Sequence, residues 1–316
     1  MSDHTLRLVR HTDQLDTHDH KAAREHLEAR RLPRAQHNLA ASARYFQLDR
    51  HLETAINMAL AVGAPLLLIG KPGTGKTQVA WYLGWYFTIP VFDYQVRSTS
   101  TADDMKYDFD AVAYLRNAQH PNELALQRQE FLRKRALWLA YERDTTSVLL
   151  IDEIDKAPRD FPNNLLLELD QHRLQHPFLN EVIMPRSDTP PVVVITSNVE
   201  RRLPDAFLRR CIFHHIELTE QLVREAVRAR AGDFPRLDEA TRNEALRLFW
   251  EIRDNEQIQK PPSTAEVLVW LAILSAQGVT AAQLRDVPLP ELPGLTASTT
   301  TSPPCVSRAS PLHHTN

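Results

Sequence analysis

Lys76 and Thr77 close the run Gly70-Lys71-Pro72-Gly73-Thr74-Gly75-Lys76-Thr77, a complete G-x-x-x-x-G-K-[ST] pattern. Residues of these types at this spacing hold phosphate. Glycines let a loop turn its backbone N–H groups inward around phosphate oxygens, and a helix that follows places its positive N-terminus against the anion. Lys76 would neutralise charge on the outer phosphates, and the Thr77 hydroxyl would ligate Mg²⁺. The chain has only 8 glycines in 316 residues, and Gly70, Gly73 and Gly75 fall within six positions of one another. At that composition a chance match is expected in about one chain in 2,000.

Three further groups have the types that nucleotide hydrolysis needs. Val148-Leu149-Leu150-Ile151-Asp152-Glu153 is an apolar run ending in two acids, which places both carboxylates at the C-terminal edge of a sheet, where ligands of α/β folds bind. Asp152 would hold Mg²⁺ through water, and Glu153 would act as general base on the attacking water. Val192–Ser197 is another buried run, ending on Asn198, whose amide could orient that water opposite Glu153; a strand-terminating Asn in a turn is the plain alternative. Arg209 and Arg210 sit at a helix-to-strand junction before Cys211. Such a pair is usually surface charge, but in an oligomeric nucleotidase it can reach a neighbouring subunit's γ-phosphate.

The elements that must position these residues alternate in type. Strands are expected at Pro65–Ile69, Val91–Val96, Ser147–Ile151, Pro191–Thr196 and Cys211–Glu217. Helices are expected over 48–62, from the glycine cluster to Phe87, over 123–142 and over 160–172. Near-continuous apolar strands alternating with helices predict a parallel sheet covered on both faces. Beyond residue 218 only helical patterns remain (219–230, 237–253, 263–277), which predicts a small all-helical second domain. The resulting divisions are a polar extension 1–43, an α/β domain 44–218, a helical domain 219–286 and a tail 287–316. Gly63 and Gly232 are expected to end helices, whereas Gly84, inside a helix, and Gly278 have no evident task.

The two ends are polar. Residues 1–40 hold 6 of the 14 histidines, with His20–Arg31 as an exposed helix and His18-Asp19-His20 as a solvated cluster rather than a metal site. Residues 287–316 hold 15 Ser, Thr or Pro and only two charges, Glu291 and Arg308, a composition that cannot offset its ordering entropy and so predicts disorder. A net charge of −3 gives no global electrostatic case for nucleic acid or anionic membrane. The longest largely apolar run, about Met58–Gly70, is shorter than the ~20 residues of a membrane span. No apolar signal segment opens the chain, and the two cysteines, Cys211 and Cys305, form no disulfide or zinc framework. The expectation is a cytoplasmic protein without membrane insertion.

The phosphate loop, Asp152-Glu153, Asn198 and Arg210, in that order and at those strand ends, resemble Walker A, Walker B, sensor 1 and the arginine finger of AAA+ ATPases. LLLIGKPGTGKT, LLIDEIDKAPRDFPNNLLLELD, VVVITSNVERRLPDAFLRRC and KPPSTAEVLVWL resemble segments of the MoxR-type members, over roughly residues 44–277. The resemblance implies a P-loop NTPase fold with a five-stranded 5-1-4-3-2 parallel sheet flanked by helices, a helical lid, and a ring, usually hexameric, with ATP and Mg²⁺ at subunit interfaces. It makes Arg210 the better finger candidate and Arg209 the second. Lys106–Tyr114 occupies the place of a helix-2 insertion. Gln175–Pro190 resembles a pre-sensor-1 hairpin with Phe178, Val182 and Ile183 as apolar contacts. One departure is plain: Pro262-Ser263-Thr264-Ala265-Glu266 has no sensor-2 arginine near the start of a lid helix.

Three functions follow from this pattern. The first is an ATP-driven ring that remodels or activates a partner protein, which for MoxR-type systems implies a von Willebrand factor A domain protein. The second is a nucleic-acid motor of the McrB type, using GTP or ATP, disfavoured by the absence of a basic, aromatic-interleaved stripe. The third is a switch that binds nucleotide without hydrolysis, against which stand Lys76, Asp152, Glu153 and Asn198. A base contact near Tyr45 and Phe46 is also expected.

Overall fold

The computed structural model describes residues 21, 24–25, 38–118, 128–198, 201–255 and 261–286. The chain divides into two compact units, residues 34–230 and a second comprising 1–33 with 231–316. The cluster His18-Asp19-His20, nearly all of the expected helix His20–Arg31, and the tail with Cys305 lie outside the described residues.

The first unit is built on five parallel strands, β1 (Leu66–Ile69), β2 (Val91–Gln95), β5 (Val148–Asp152), β8 (Val192–Ser197) and β9 (Ile212–His215), ordered β2-β5-β8-β1-β9. Two antiparallel hairpins stand apart from this sheet, β3 (Tyr107–Phe109) with β4 (Leu132–Lys134), and β6 (Leu174–Gln175) with β7 (Val182–Ile183). The three central strands are apolar along nearly their whole length because both faces are covered. Leu66, Leu68, Val148, Leu150 and Val194 pack on one face with Leu52 and Ile56 of helix Arg50–Val62 and Val79 and Leu83 of helix Lys76–Phe87. Leu67, Leu149, Ile151, Val193 and Ile195 pack on the other with Leu137, Trp138, Phe161 and Phe207. The edge strands β2 and β9 instead alternate in burial, as half-covered strands do.

Parallel register aligns the strand ends. Gln95 pairs with Asp152, and Ile69 pairs with both Ser197 and His215. The residues that follow these ends are Glu153, Gly70 and Asn198, so three distant sequence motifs meet along one sheet edge.

The first unit extends beyond the expected α/β segment at both ends. Asn38 caps helix Leu39–Ser42, Ala43 is fully buried, and the Gln78 Nε2 donates to the Leu39 carbonyl at 2.8 Å, so residues 38–43 belong to this unit rather than to a polar extension. Helix Glu220–Ala229, expected with the lid, also lies in it.

The helix expected over 123–142 is replaced. Among the described residues that stretch holds a 3₁₀ turn Arg128–Phe131, strand β4 and a helix only at Ala136–Tyr141. Pairing with β3 supplies the reason. Arg133 bonds Asp110 at 3.1 Å, Arg135 bonds Asp108 at 3.0 Å, and Phe131 meets the Tyr114 ring edge-on at 5.6 Å between centroids. These contacts between segments distant in sequence override a helix propensity worth at most ~0.7 kcal/mol per residue. Between the hairpin strands runs a helix the periodicity did not predict, Ala111–Ala118. The expected helix 160–172 forms as two pieces, Phe161–Asn164 and Leu166–Gln171.

The second unit, among its described residues, contains helices Glu239–Arg253, Thr264–Gln277 and Ala281–Asp286 around Phe249, Trp270, Leu271 and Leu274. Ser263 and Glu266 form a capping box at the start of the second of these helices: each side chain accepts the other's backbone N–H, at 3.4 and 2.7 Å. The segment without an arginine is thus a helix N-terminus with its own structural purpose. Gly278 ends the same helix and Gly63 ends Arg50–Val62, whereas Gly232 lies inside the 3₁₀ turn Ala231–Asp233.

Gly84 also acquires a task. A Cβ there would lie 2.4 Å from Val91 Cγ2 and 3.2 Å from the Ile89 carbonyl oxygen, so helix Lys76–Phe87 sits against β2 closer than any side chain permits. In an open helix Gly→Ala stabilises by roughly 0.5–1 kcal/mol. Here Gly84→Ala is expected to destabilise by about 1–3 kcal/mol through overpacking. Denaturant unfolding reads the sign directly, and a stabilised variant would contradict the packing described.

Candidate active site at the sheet edge

Between β1 and helix Lys76–Phe87 the loop must bend sharply. Gly75 has φ +92°, a left-handed conformation that side chains with a Cβ rarely adopt. Gly70 is fixed for another reason: a Cβ would lie 2.6 Å from the carbonyl oxygen of Ile216, the residue that follows β9. Backbone geometry therefore accounts for glycine at these two positions without reference to any ligand.

Lys76 is 5% exposed, and its Nζ donates to the carbonyls of Gly70 (2.8 Å) and Lys71 (2.9 Å). Burial pushes its pKa below the ordinary lysine value, opposed by the charges of Asp152, Asp155 and Glu153. A buried ammonium held by carbonyls and facing three acids is a prepared counter-charge for an anion arriving at the loop.

Asp152 organises the next layer. Its Oδ1 accepts from the Thr77 hydroxyl at 2.9 Å and from the Thr196 hydroxyl at 2.7 Å. Thr196 Oγ1 in turn accepts the Glu153 N–H at 2.8 Å. Glu153 needs that support because its φ is +60°, a backbone conformation that costs a non-glycine residue of order 1–3 kcal/mol and that clusters at functional sites. Its carboxylate is engaged on both oxygens. Oε1 accepts from Asn198 Nδ2 at 3.1 Å, and Oε2 accepts from Gln95 Nε2 at 2.5 Å and Lys156 Nζ at 2.6 Å. The backbone N–H of Asn198 donates to both oxygens of Asp155, each at 3.1 Å, and Asp155 is 2% exposed.

The structure thus brings together Gly70, Lys71, Lys76, Thr77, Asp152, Glu153 and Asn198, while Gly73, Thr74 and Gly75 complete the loop with Pro72. Gly73 has φ +78°, and the Thr74 hydroxyl donates to the Lys71 carbonyl at 3.0 Å. Arg210 is engaged elsewhere: its Nε donates to Asp170 and its Nη1 to the Ala206 carbonyl at 2.7 Å. Cys211, the next residue, is an inert thiol, pushed up to about 12 by burial and then by the charge of Asp170. Phe46 lies against the loop, its Cε2 3.5 Å from where a Gly75 Cβ would stand, and Tyr45 is flanked by the guanidiniums of Arg44 (4.6 Å) and Arg230 (5.7 Å).

Four contributors escaped sequence reasoning. Gln95, Thr196, Asp155 and Lys156 all hold Glu153 or Asn198, yet their positions in the runs are unremarkable. The usable signal was placement alone, since each lies at or just beyond a strand end on the ligand edge of the sheet.

Among the described residues no group of three or more His, Cys, Asp or Glu is arranged to hold a metal ion. The hydroxyl of Thr77 and the carboxylate of Asp152, 2.9 Å apart at a helix N-terminus, still suit Mg²⁺, which uses one or two protein oxygens and takes the remainder from water and phosphate. No helix among the described residues is long and apolar enough to cross a membrane.

The hairpins contact each other and the core. Phe178, at the turn of β6–β7, meets Phe109 of β3 edge-on at 5.0 Å between centroids, and Ile183 packs on the main core. Val182, expected as an apolar contact, is exposed.

Comparison with known proteins agrees with this geometry. Residues 65–211 match the family model of the AAA domain (dynein-related subfamily). No curated protein matches the chain. A crystal structure described as that of a "putative ATPase" from Cytophaga hutchinsonii ATCC 33406 is similar at 13% identity and a TM-score of 0.41, over 75% of this chain and 77% of that one, a likeness too distant to bear on function. The parallel sheet, its phosphate loop and the matched segment identify an AAA+ P-loop domain, followed by a helical C-terminal region.

Proposed function

We propose that this chain is an ATP hydrolase of the MoxR type, working in the cytoplasm as a ring, usually of six subunits, that remodels or activates a partner protein. A von Willebrand factor A domain is the partner that the sequence resemblance favours. The observation that carries the catalytic part is the convergence of Lys76, Thr77, Asp152, Glu153 and Asn198 on one sheet edge. Acids at strand ends are common, and so are glycine turns. A hydroxyl, two acids and an amide linked by hydrogen bonds through Thr196, beside a buried lysine, are not.

In this reading the Lys76 amine exchanges the Gly70 and Lys71 carbonyls for phosphate oxygens, and the loop N–H groups share the remaining charge. Thr77 and Asp152 would hold Mg²⁺, which supplies charge neutralisation at the β- and γ-phosphates. Glu153 takes the proton from water, and the Asn198 amide, already bonded to Glu153, orients that water for in-line attack. Before it can do so, one oxygen of Glu153 must give up a present donor. Arg210 faces the γ-phosphate of a neighbouring subunit.

Two outcomes test this reading. Lys76→Ala is expected to lose ATP binding, and Arg210→Ala to bind ATP but release phosphate 10³-fold or more slowly, about the value of an arginine finger. Mixing the two variants should restore part of the phosphate release, because each supplies what the other lacks. Intact mixed rings without restored turnover would contradict action between subunits.

The lowered pKa of Lys76 gives a pH dependence of definite sign. Bound phosphate favours the charged amine, so binding takes up a proton wherever free Lys76 is already losing its own. ATP affinity is therefore expected to fall as pH rises, starting below the ordinary lysine value of 10.5, by up to about tenfold per pH unit. Titrations between pH 8 and 10.5, with folding followed by circular dichroism, read this slope. A flat profile would contradict it.

A further inference from the structure

We propose that Asp170 is a positioning residue for Arg210, fixing the guanidinium in the orientation that presents it to a nucleotide held by a neighbouring subunit. The inference rests on the reading of Arg210 given above and adds the residue that makes that reading geometrically workable.

An arginine side chain has many rotamers, and one that must meet a phosphate across a subunit boundary gains by being ordered beforehand. Arg210 is ordered by two contacts from its own chain. Its Nε donates to Asp170 Oδ2, and its Nη1 donates to the carbonyl of Ala206, one turn back on helix Asp205–Leu208. Nη2 is the guanidinium nitrogen with no hydrogen-bond partner among the described residues. The side chain remains 42% exposed despite both contacts. This is the arrangement expected of a cation held from behind and left open in front.

Asp170 is itself held in place. It lies on helix Leu166–Gln171, which Glu168 anchors two residues earlier. The Glu168 carboxylate forms a buried ion pair with Lys106, at 6% and 12% side-chain exposure, and its backbone carbonyl accepts the Tyr141 hydroxyl at 2.9 Å. Burial works to lower the Lys106 pKa, but the hydrogen bond and charge of Glu168 overcome it, so the amine stays charged. A buried pair of this kind fixes geometry more dependably than it adds stability. Lys106 sits at the foot of the β3–β4 hairpin, where the Arg135 N–H donates to its carbonyl at 2.9 Å. Hairpin, helix and arginine are therefore joined by direct contacts, with Asp170 as the last link before Arg210.

Asp170 is not needed for folding in the way a core residue is. Its side chain is 36% exposed and its ion pair lies at the surface, where such pairs contribute little to stability. Loss of Asp170 should therefore appear in turnover.

The test is a double-mutant cycle on phosphate release and ATP affinity. Asp170→Ala is expected to lower kcat about 10- to 100-fold, the cost of a modest misplacement of a catalytic group, with ATP affinity and thermal unfolding unchanged. In an Arg210→Ala background the same substitution should have no further effect, because there is no guanidinium left to position. Asp170→Ser replaces Asp170→Ala if the latter does not fold. Unchanged turnover in Asp170→Ala beside a slow Arg210→Ala overturns the proposal. So does an equal fold-loss in both backgrounds, which would mark a structural role independent of Arg210. Full turnover in Arg210→Ala would instead refute the reading of Arg210 on which the proposal stands, and the two failures are thus distinguishable.

Discussion

A charged lysine sits almost wholly inside this protein, and much of the site is arranged to tolerate it. Lys76 occupies the first turn of a helix, where the positive end of the helix dipole makes an additional cation costly rather than welcome. Two loop carbonyls and three nearby carboxylates offset that cost. The carbonyls are available only because the loop folds back over the amine, and the acids only because β5 lies two strands from β1, with β8 between them. The sheet order is thus an electrostatic requirement as much as a packing solution.

The same economy extends to Glu153. A carboxylate in a left-handed backbone conformation, with both oxygens hydrogen-bonded, is held against strain by its neighbours. Thr196 secures its N–H and, through Asp152, links it to Thr77 on the helix after the phosphate loop. The glycine loop's helix, Glu153 and Asn198 are therefore joined by a continuous run of hydrogen bonds. Three successive hydrogen bonds run from the Thr77 hydroxyl through Asp152 and Thr196 to the Glu153 N–H.

Much of the fold was legible because its signals are local. Apolar runs such as Val148–Ile151 and Val192–Ile195 could only be strands buried on both faces, and the glycine cluster could only be a loop of unusual backbone shape. What was not legible depended on partners distant in sequence. Gln95 and Thr196 read as ordinary strand residues until register places them beside Asp152 and Glu153. The helix expected over 123–142 had acceptable spacing, but its charged residues Arg133 and Arg135 find their acids across the hairpin, and the strand forms instead. Gly84 looked like a defect in a helix until the approach of Val91 gave it a reason. Ser263 and Glu266 carry the S-x-x-E spacing of a capping box, a local signal that marks the start of helix Thr264–Gln277.

The central claim is that Glu153 performs the chemical step in a site that Lys76 has already prepared for binding. The most direct measurement is the identity of the nucleotide retained by Glu153→Gln after incubation with ATP and Mg²⁺, beside wild type treated alike. Glutamine keeps the hydrogen-bonding shape of the side chain but cannot take a proton. The account predicts intact ATP bound to the variant and ADP bound to wild type. ADP accumulating in the variant at the wild-type rate would contradict it.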